Sequence, residues 1–382
     1  MDTITTGANT GFAGLRQDLA DAAHAPGFIY WSPDVFRREI DEIFMKDWLY
    51  VGRVEEVEKP GDYMTLRIVG EPVVISRDRD GVLHANYNMC LHRGVEVAEG
   101  NGNTRAFKCP YHGWTYNLQG QLTGAAGMKE SNNFDAAKCR LRPIRFDTWR
   151  GNMFICFDPD ARPLDDFIAE FETDFGFLQM ENCRLGFKLT IDLECNWKFA
   201  FENLMDFYHV PVLHAKSFGS RVKWDNRDVT LKENGGVTIR YVTSPSTPGG
   251  VPLLGKMPWL EHEDVSLGRA GFMHPNFALF ARIDYAGPMI VWPVTENSCQ
   301  VVIYRLFPVE LFSRPDIEEK LKVYHDFQIT VLEEDRTMIE SMQRAMSSKN
   351  YVPGRMSAQE KSIRHYLNSY LDRVFGPDAG RP

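Results

Sequence analysis

Cys90-Leu91-His92-Arg93-Gly94 and, further on, Cys109-Pro110-Tyr111-His112-Gly113-Trp114-Thr115-Tyr116 decide how this sequence is read. Each segment supplies one cysteine and one histidine, as C-x-H and then C-x-x-H, with sixteen residues between His92 and Cys109. Four such ligands on two hairpin-like loops suit a tetrahedral zinc ion or an iron–sulfur cluster. A structural zinc site usually draws its two cysteines from one knuckle. Pairing Cys with His inside each loop suits a [2Fe–2S] cluster with two cysteines on one iron and two histidines on the other. The glycines beside the ligands free backbone amides to approach bridging sulfides.

A second constellation lies downstream, in Glu202-Asn203-Leu204-Met205-Asp206-Phe207-Tyr208-His209-Val210-Pro211-Val212-Leu213-His214. Ionisable groups in such apolar surroundings are costly to bury unless something compensates them. A metal ion is one compensation, because imidazole and carboxylate are ligands for iron and zinc. A regular helix does not bring His209 and His214 together, since five residues rotate about 500°, or about 140° net. Pro211 between them removes a helical hydrogen bond, and a break there re-aims His214. Two histidines packed at a kinked helix would be the plain structural alternative.

The remaining chain narrows the class. At 382 residues it is long enough for two cores. It is 43% hydrophobic and 25% charged, and its net charge of −9, without a basic run, argues against a nucleic-acid partner. Seven cysteines scattered through the chain do not form a disulfide framework. No apolar run reaches membrane-spanning length, and Met1 to Gly14 lacks the layout of a signal peptide. A reducing cytoplasm is the expected location.

Residues 1–30 are small and polar and are expected to be partly mobile. Ser32-Pro33 then opens a short amphipathic helix to about Lys46. From Trp48 the pattern turns to β, with candidates at Tyr50-Val51, Tyr63 to Val69 and Pro72 to Ser76, and one more from Ile144 to Phe157. Pro163 to Phe177 is read as helix and Leu185 to Glu194 as a strand. Residues 218–275 read as irregular loops of the kind that form substrate lids. Phe277 to Ile283, Met289 to Pro293 and Gln300 to Phe307 are β-rich, and a helix follows from about Pro315 to Met346. Within it Asp335 is centred on a stripe of Leu321, Tyr324, Gln328, Val331, Met338, Ile339 and Met342. A carboxylate so placed wants a metal or a firm partner; Glu334 fits a solvated acid at the stripe edge.

The spacing C-x-H-(x16)-C-x-x-H, written here as CLHRG and CPYHGWTY, resembles the Rieske motif. Followed about ninety residues later by D-x-x-H-x4-H, it resembles the α subunits of Rieske non-haem iron ring-hydroxylating oxygenases over roughly Trp48 to Gln343. That resemblance implies an α+β chain in three parts: an arm and helix over 1–47, a Rieske [2Fe–2S] β domain over 48–158, and a catalytic mononuclear iron domain over 159–382. The last would be helix-grip-like, with an open antiparallel sheet flooring the pocket. Cys90, His92, Cys109 and His112 would hold the cluster, and His209, His214 and Asp335 would hold Fe(II). Asp206 would bridge His209 to a cluster histidine, His112, of a neighbouring subunit, which implies a homotrimer. Asn203 matches a position near the iron. Leu204, Phe207, Val210, Phe280, Trp292 and Val331 match pocket positions.

The activity so implied is that of a terminal oxygenase acting on O2 with electrons from NAD(P)H. The chain has no G-x-G-x-x-G after a strand and no second ferredoxin-type cysteine set, so a separate ferredoxin and reductase would supply them. The matched pocket positions carry no charge and one polar group, Asn203, which favours an apolar aromatic or N/O-alkyl aromatic compound. Mono- and dioxygenation both stay open, as does oxidation of a small quaternary amine. In other classes stand a Rieske electron carrier without oxygenase activity and a zinc-stabilised binding protein. Cys139, Cys156, Cys183, Cys195 and Cys299 are expected to be free thiols, and His24, His84, His262, His274, His325 and His365 receive no function.

Overall fold

The structure, a computed structural model, describes residues 11–128 and 130–381. The chain divides into two compact units, Phe44–Phe167 and a larger one that joins the residues up to Ile43 with those from Ile168 onward. The boundaries thus fall at 43/44 and 167/168, against the 47/48 and 158/159 read from the sequence.

In the larger unit the N-terminal arm is fastened rather than loose over its described part. The Arg16 guanidinium donates to Asn368 Oδ1 at 2.9 Å and Asp372 Oδ1 at 2.7 Å, and Phe12 packs on Phe375. Ser32 Oγ accepts the Val35 N–H and caps α1 (Pro33–Glu39), with Pro33 at its first position. Beyond it the chain continues as a π-turn over Ile40–Phe44.

The smaller unit is built of short strands: β1 (Leu49–Arg53), β2 (Asp62–Ile68), β3 (Glu71–Arg77), β4 (Leu83–Tyr87), β5 (Asn101–Asn103), β6 (Phe107–Lys108), β7 (Thr115–Tyr116), β8 (Leu122–Gly124), β9 (Arg145–Trp149) and β10 (Asn152–Cys156). They form three antiparallel sheets, ordered β1-β10-β9, β4-β3-β2-β5 and β6-β7-β8. The stretch from Ile144 to Phe157, read as one strand, is the hairpin β9–β10. Arg150 and Gly151 turn it with φ of +46° and +78°. A Cβ on Gly151 would stand 2.7 Å from the Arg53 guanidinium, so the turn needs glycine for space as well as for its φ.

The larger unit holds one seven-stranded antiparallel sheet of order β11-β17-β16-β15-β14-β13-β12. Its strands are β11 (Cys183–Leu193), β12 (Lys223–Leu231), β13 (Val237–Val242), β14 (Leu267–Met273), β15 (Phe277–Arg282), β16 (Ala286–Thr295) and β17 (Ser298–Pro308). Three of them lie in the region 218–275 that the sequence reading took as irregular. β12 is an edge strand rich in polar residues, and pairing with β13 rather than local propensity fixes it.

Five further helices are α2 (Leu164–Phe175), α3 (Trp197–Met205), α4 (Val210–Leu213), α5 (Ile317–Met346) and α6 (Lys361–Phe375). Asn196 caps α3 by accepting the Lys198 N–H, and α3 packs on β16 and β17 while α5 packs on β11. On α5 the buried face includes Tyr324, Phe327, Asp335, Ile339 and Gln343. Met338 and Met342, placed in the stripe by periodicity, are 48% and 39% exposed and lie outside it. α6, which the sequence reading did not single out, buries Ile363, Tyr366, Leu367, Tyr370, Leu371 and Val374.

Candidate functional site

α3 ends at Met205 and α4 spans only Val210–Leu213, so His209 precedes and His214 follows a single turn. Pro211 sits inside that turn, as the sequence required. After it, the carbonyl of His214 accepts N–H groups from Ser217, Phe218 and Gly219 at 3.1, 3.1 and 2.7 Å. The chain doubles back so closely that a Cβ on Gly219 would meet the Val210 carbonyl oxygen at 2.3 Å. This knot turns His214 inward to 1% exposure.

The result is a convergence of three side chains. His209 Nε2 and His214 Nε2 are 3.3 Å apart, and Asp335 Oδ1 lies 3.1 Å from His214 Nε2 and 3.5 Å from His209 Nε2. Each imidazole donates through its other nitrogen: His209 Nδ1 to Asp206 Oδ2 at 3.1 Å, and His214 Nδ1 to Glu334 Oε2 at 2.7 Å. With Nδ1–H so engaged, both Nε2 lone pairs face one point, together with a buried carboxylate oxygen that accepts no hydrogen bond. Such an electron-rich point fits a cation. The separations are all shorter than twice a usual metal–nitrogen bond of about 2.1 Å, and two imidazoles with one carboxylate are the donor set of non-haem Fe(II). The same crowding acts on protons: burial pushes His214 down, but Asp335 and Glu334 outweigh it and raise its pKa.

Glu334 was read as a solvated acid; here it accepts from both His214 and the Ser217 hydroxyl, each at 2.7 Å. Asp206 also accepts the Tyr208 N–H at 2.7 Å, fixing its carboxylate against His209. Glu202 accepts from the Tyr30 hydroxyl at 2.9 Å and does not reach the histidines by any hydrogen bond.

A cavity of about 110 Å³ opens onto these three side chains. Its walls come from α3 and the turn after it (Asn203, Leu204, Phe207), from α4 and its flanks (Val210, Phe218) and from α5 (Phe327, Gln328, Val331). The sheet contributes Tyr241, Phe280, Arg282, Met289 and Arg305, and the turn between β15 and β16 contributes Tyr285. Of the six pocket positions matched from the family, five line it and Trp292 does not. Strand alternation explains the miss: on β16, Met289 faces the cavity and Trp292, three residues on, projects from the other side. The reading of an uncharged pocket is also corrected, because Arg282 and Arg305 both line it. Their signal was present in the sequence as lone charges inside the apolar runs FALFARI and VVIYRLF.

In the smaller unit the two Cys/His loops repeat one geometry. Cys90 N–H donates to the Val95 carbonyl and Cys109 N–H to the Trp114 carbonyl, each at 2.8 Å. Gly94 and Gly113, with φ of +76° and +74°, return N–H groups to the carbonyls of Cys90 and Cys109. Both cysteines are buried in a cluster with Phe107, Trp114 and Tyr116, whereas His92 and His112 are exposed. The histidine Nδ1 atoms approach to 3.1 Å, and the His92 ring stacks on Trp114. Tyr116, which the sequence reading gave no role, has its hydroxyl 3.3 Å from Cys90 Sγ and accepts the Leu91 N–H at 3.0 Å. Among the described residues, only His209, His214 and Asp335 bring three such donors within 4.8 Å of one another. Both cysteines of the Cys/His quartet lie in one buried cluster and both histidines meet at the surface, the grouping that suits two cysteines on one iron and two histidines on the other. Of the other cysteines, Cys195 and Cys299 lie 3.8 Å apart as thiols, and none of the five forms a disulfide.

Two family descriptions match the chain: "Ring hydroxylating alpha subunit (catalytic domain)" over residues 180–376 and "Rieske [2Fe-2S] domain" over residues 47–135. Choline monooxygenase of Arabidopsis thaliana is 30% identical over 373 residues, covering 91% of this chain and 82% of that protein. The glycine betaine monooxygenase oxygenase subunit of Pseudomonas aeruginosa is 28% identical over 387 residues, covering 91% and 88%. Among solved structures, naphthalene 1,2-dioxygenase from a Rhodococcus species superposes with a TM-score of 0.78 at 20% identity, covering 98% of each chain. A quaternary ammonium Rieske monooxygenase, described for carnitine oxidation and inter-subunit electron transfer, superposes with a TM-score of 0.77 at 24% identity, covering 94% and 96%. These last two likenesses are of fold.

Proposed function

We propose that this chain, which belongs to the family of Rieske non-haem iron ring-hydroxylating oxygenase α subunits, is a terminal oxygenase that hydroxylates a small molecule held beside His209, His214 and Asp335. The observation that carries it is the meeting of those three donors at the wall of a cavity. They would hold the mononuclear iron, and Cys90, His92, Cys109 and His112 would hold the [2Fe–2S] cluster. Held there, the iron would supply the chemistry of O2 activation, and the cluster would supply electrons drawn from NAD(P)H through a ferredoxin or reductase partner.

The chain's own groups do the positioning. Glu334 and Asp206 hold the Nδ1 protons of His214 and His209, so that both Nε2 atoms stay free as ligands. Leu204, Phe207, Val210, Phe280 and Val331 keep water from the reacting centre and suit an aromatic ring. Asn203 is the amide on the same wall. In the arrangement we favour, copies of the chain form a homotrimer and Asp206 links His209 to His112 of a neighbouring copy. The relative described for inter-subunit electron transfer supports that reading.

A quaternary amine substrate is a second reading, favoured by the choline and glycine betaine monooxygenases among the relatives. The experiment supplies purified protein with a ferredoxin and reductase under isotopically labelled dioxygen, with arenes, N- or O-alkyl aromatics and quaternary amines. Two labelled oxygens in an arene product mean dihydroxylation; an aldehyde with a shortened amine or phenol means dealkylation. Iron-replete protein that consumes O2 with no substrate of any class, and labels no product, would sink the proposal.

A further inference from the structure

Two cations line the cavity. Arg282 on β15 and Arg305 on β17 are only 7% and 4% exposed. A guanidinium keeps its charge in protein, and burying it is costly unless an anion meets it. Here the partners are neutral. Arg282 Nη1 donates to the Tyr241 hydroxyl at 2.5 Å and the Ala281 carbonyl at 3.1 Å, and its buried Nε donates to nothing. Arg305 donates to the Tyr304 carbonyl at 2.9 Å and to the Gln328 amide oxygen. Among the described residues neither arginine forms an ion pair with a carboxylate. Asp284 is the carboxylate that feels both, but it is taken by the Tyr324 hydroxyl at 2.5 Å, and burial pushes it up to about 6. It offsets one guanidinium at most.

The sheet makes room for this pair. Gly287 on β16 lies beside Arg305, where a Cβ would come within 2.7 Å of Nη1. The Arg282 guanidinium covers the Tyr241 ring at 5.2 Å and the Arg305 guanidinium covers the Tyr285 ring at 5.0 Å. Faces that would otherwise cradle a quaternary ammonium are occupied by the protein's own cations.

We infer that the pocket takes a substrate bearing a carboxylate, held by Arg282 and Arg305, with its reacting carbon toward His209, His214 and Asp335. This rests on the oxygenase reading above and narrows it. A planar guanidinium fork matches a carboxylate in shape and charge, which no neutral acceptor does. α5 sets a length. Gln328, which touches Arg305, and Asp335 are seven residues apart, or roughly 10 Å of helix. The carboxylate and the reacting carbon are therefore separated by several bonds. A purely cationic amine such as choline is repelled.

The test is binding to the iron-loaded holoenzyme by calorimetry, using pairs that differ only in charge: phenylacetate against phenylacetamide, and L-carnitine against carnitinamide. The carboxylate of at least one pair should bind about tenfold tighter or more, as a charge-assisted contact does. Arg282→Gln and Arg305→Gln should each erase the gap, and Arg305→Lys should keep part of it. Equal binding within each pair, no binding by any probe, or a gap that survives both glutamine variants overturns the inference. Because the readout is binding, a carboxylate preference without labelled product would uphold this site and count against the oxygenase reading instead.

Discussion

Glu334 and Asp335, adjacent on α5, address opposite nitrogens of one imidazole: Glu334 Oε2 lies 2.7 Å from His214 Nδ1, and Asp335 Oδ1 lies 3.1 Å from His214 Nε2. One residue of helix thus divides two tasks. Asp335 offers an oxygen to the shared point; Glu334 fixes which nitrogen of His214 carries the proton. Asp335→Ala should lose the mononuclear iron and all turnover while the cluster absorbance is retained, as read by metal analysis and visible spectra. Glu334→Gln should keep the fold and weaken iron binding roughly 10- to 100-fold, the usual cost of losing a ligand's hydrogen-bonded carboxylate.

Asp206 makes a comparable contact with His209 but also ends α3, where its other oxygen accepts a backbone N–H. Asp206→Asn is expected to keep both metal centres and to slow electron transfer from cluster to iron in single-turnover experiments. Loss of iron instead would reduce Asp206 to an orienting group.

The Tyr116 hydroxyl stands 3.3 Å from Cys90 Sγ. Against a ligating thiolate it donates, and hydrogen bonds to cluster sulfurs raise the reduction potential. Tyr116→Phe should therefore lower the potential in voltammetry without changing iron content.

Lys198 and Glu39 form a fully buried ion pair at 2.5 Å, with Trp197 Nε1 and the Tyr370 hydroxyl also donating to Glu39 at 2.8 and 2.6 Å. This network ties α1, α3 and α6 together. Lys198→Met leaves a buried carboxylate without its counter-charge and should cost about 3–5 kcal/mol in denaturant unfolding.

Burial pushes the Glu202 carboxyl up to about 7 from 4.5, against the opposing pull of Tyr30, His24 and Lys198. Between those values the folded chain holds a proton that the unfolded chain releases. Its contribution to stability is complete below about 4.5 and declines as pH rises to about 7, by at most about 1.4 kcal/mol per pH unit. Glu202→Gln still accepts from Tyr30 and should flatten that part of the stability–pH curve.

The sequence by itself determined the ligand types, their spacing and the elements that carry them. Cys/His pairing within each loop, Pro211 between two histidines, and an acid centred on an apolar helical stripe are local facts, because ligand chemistry and helical period act over a few residues. Tertiary structure alone decided what meets at a distance. That Glu334 reaches His214 depends on how α5 lies beside α4, some 120 residues away in the chain. That Arg282 and Arg305 share a cavity depends on strand register, in which a shift of one residue would send each to the opposite face. Trp292 was misplaced and the polar strand β12 unrecognised for the same reason: which face a side chain takes, and which edge a strand joins, are set by neighbours that are remote in sequence.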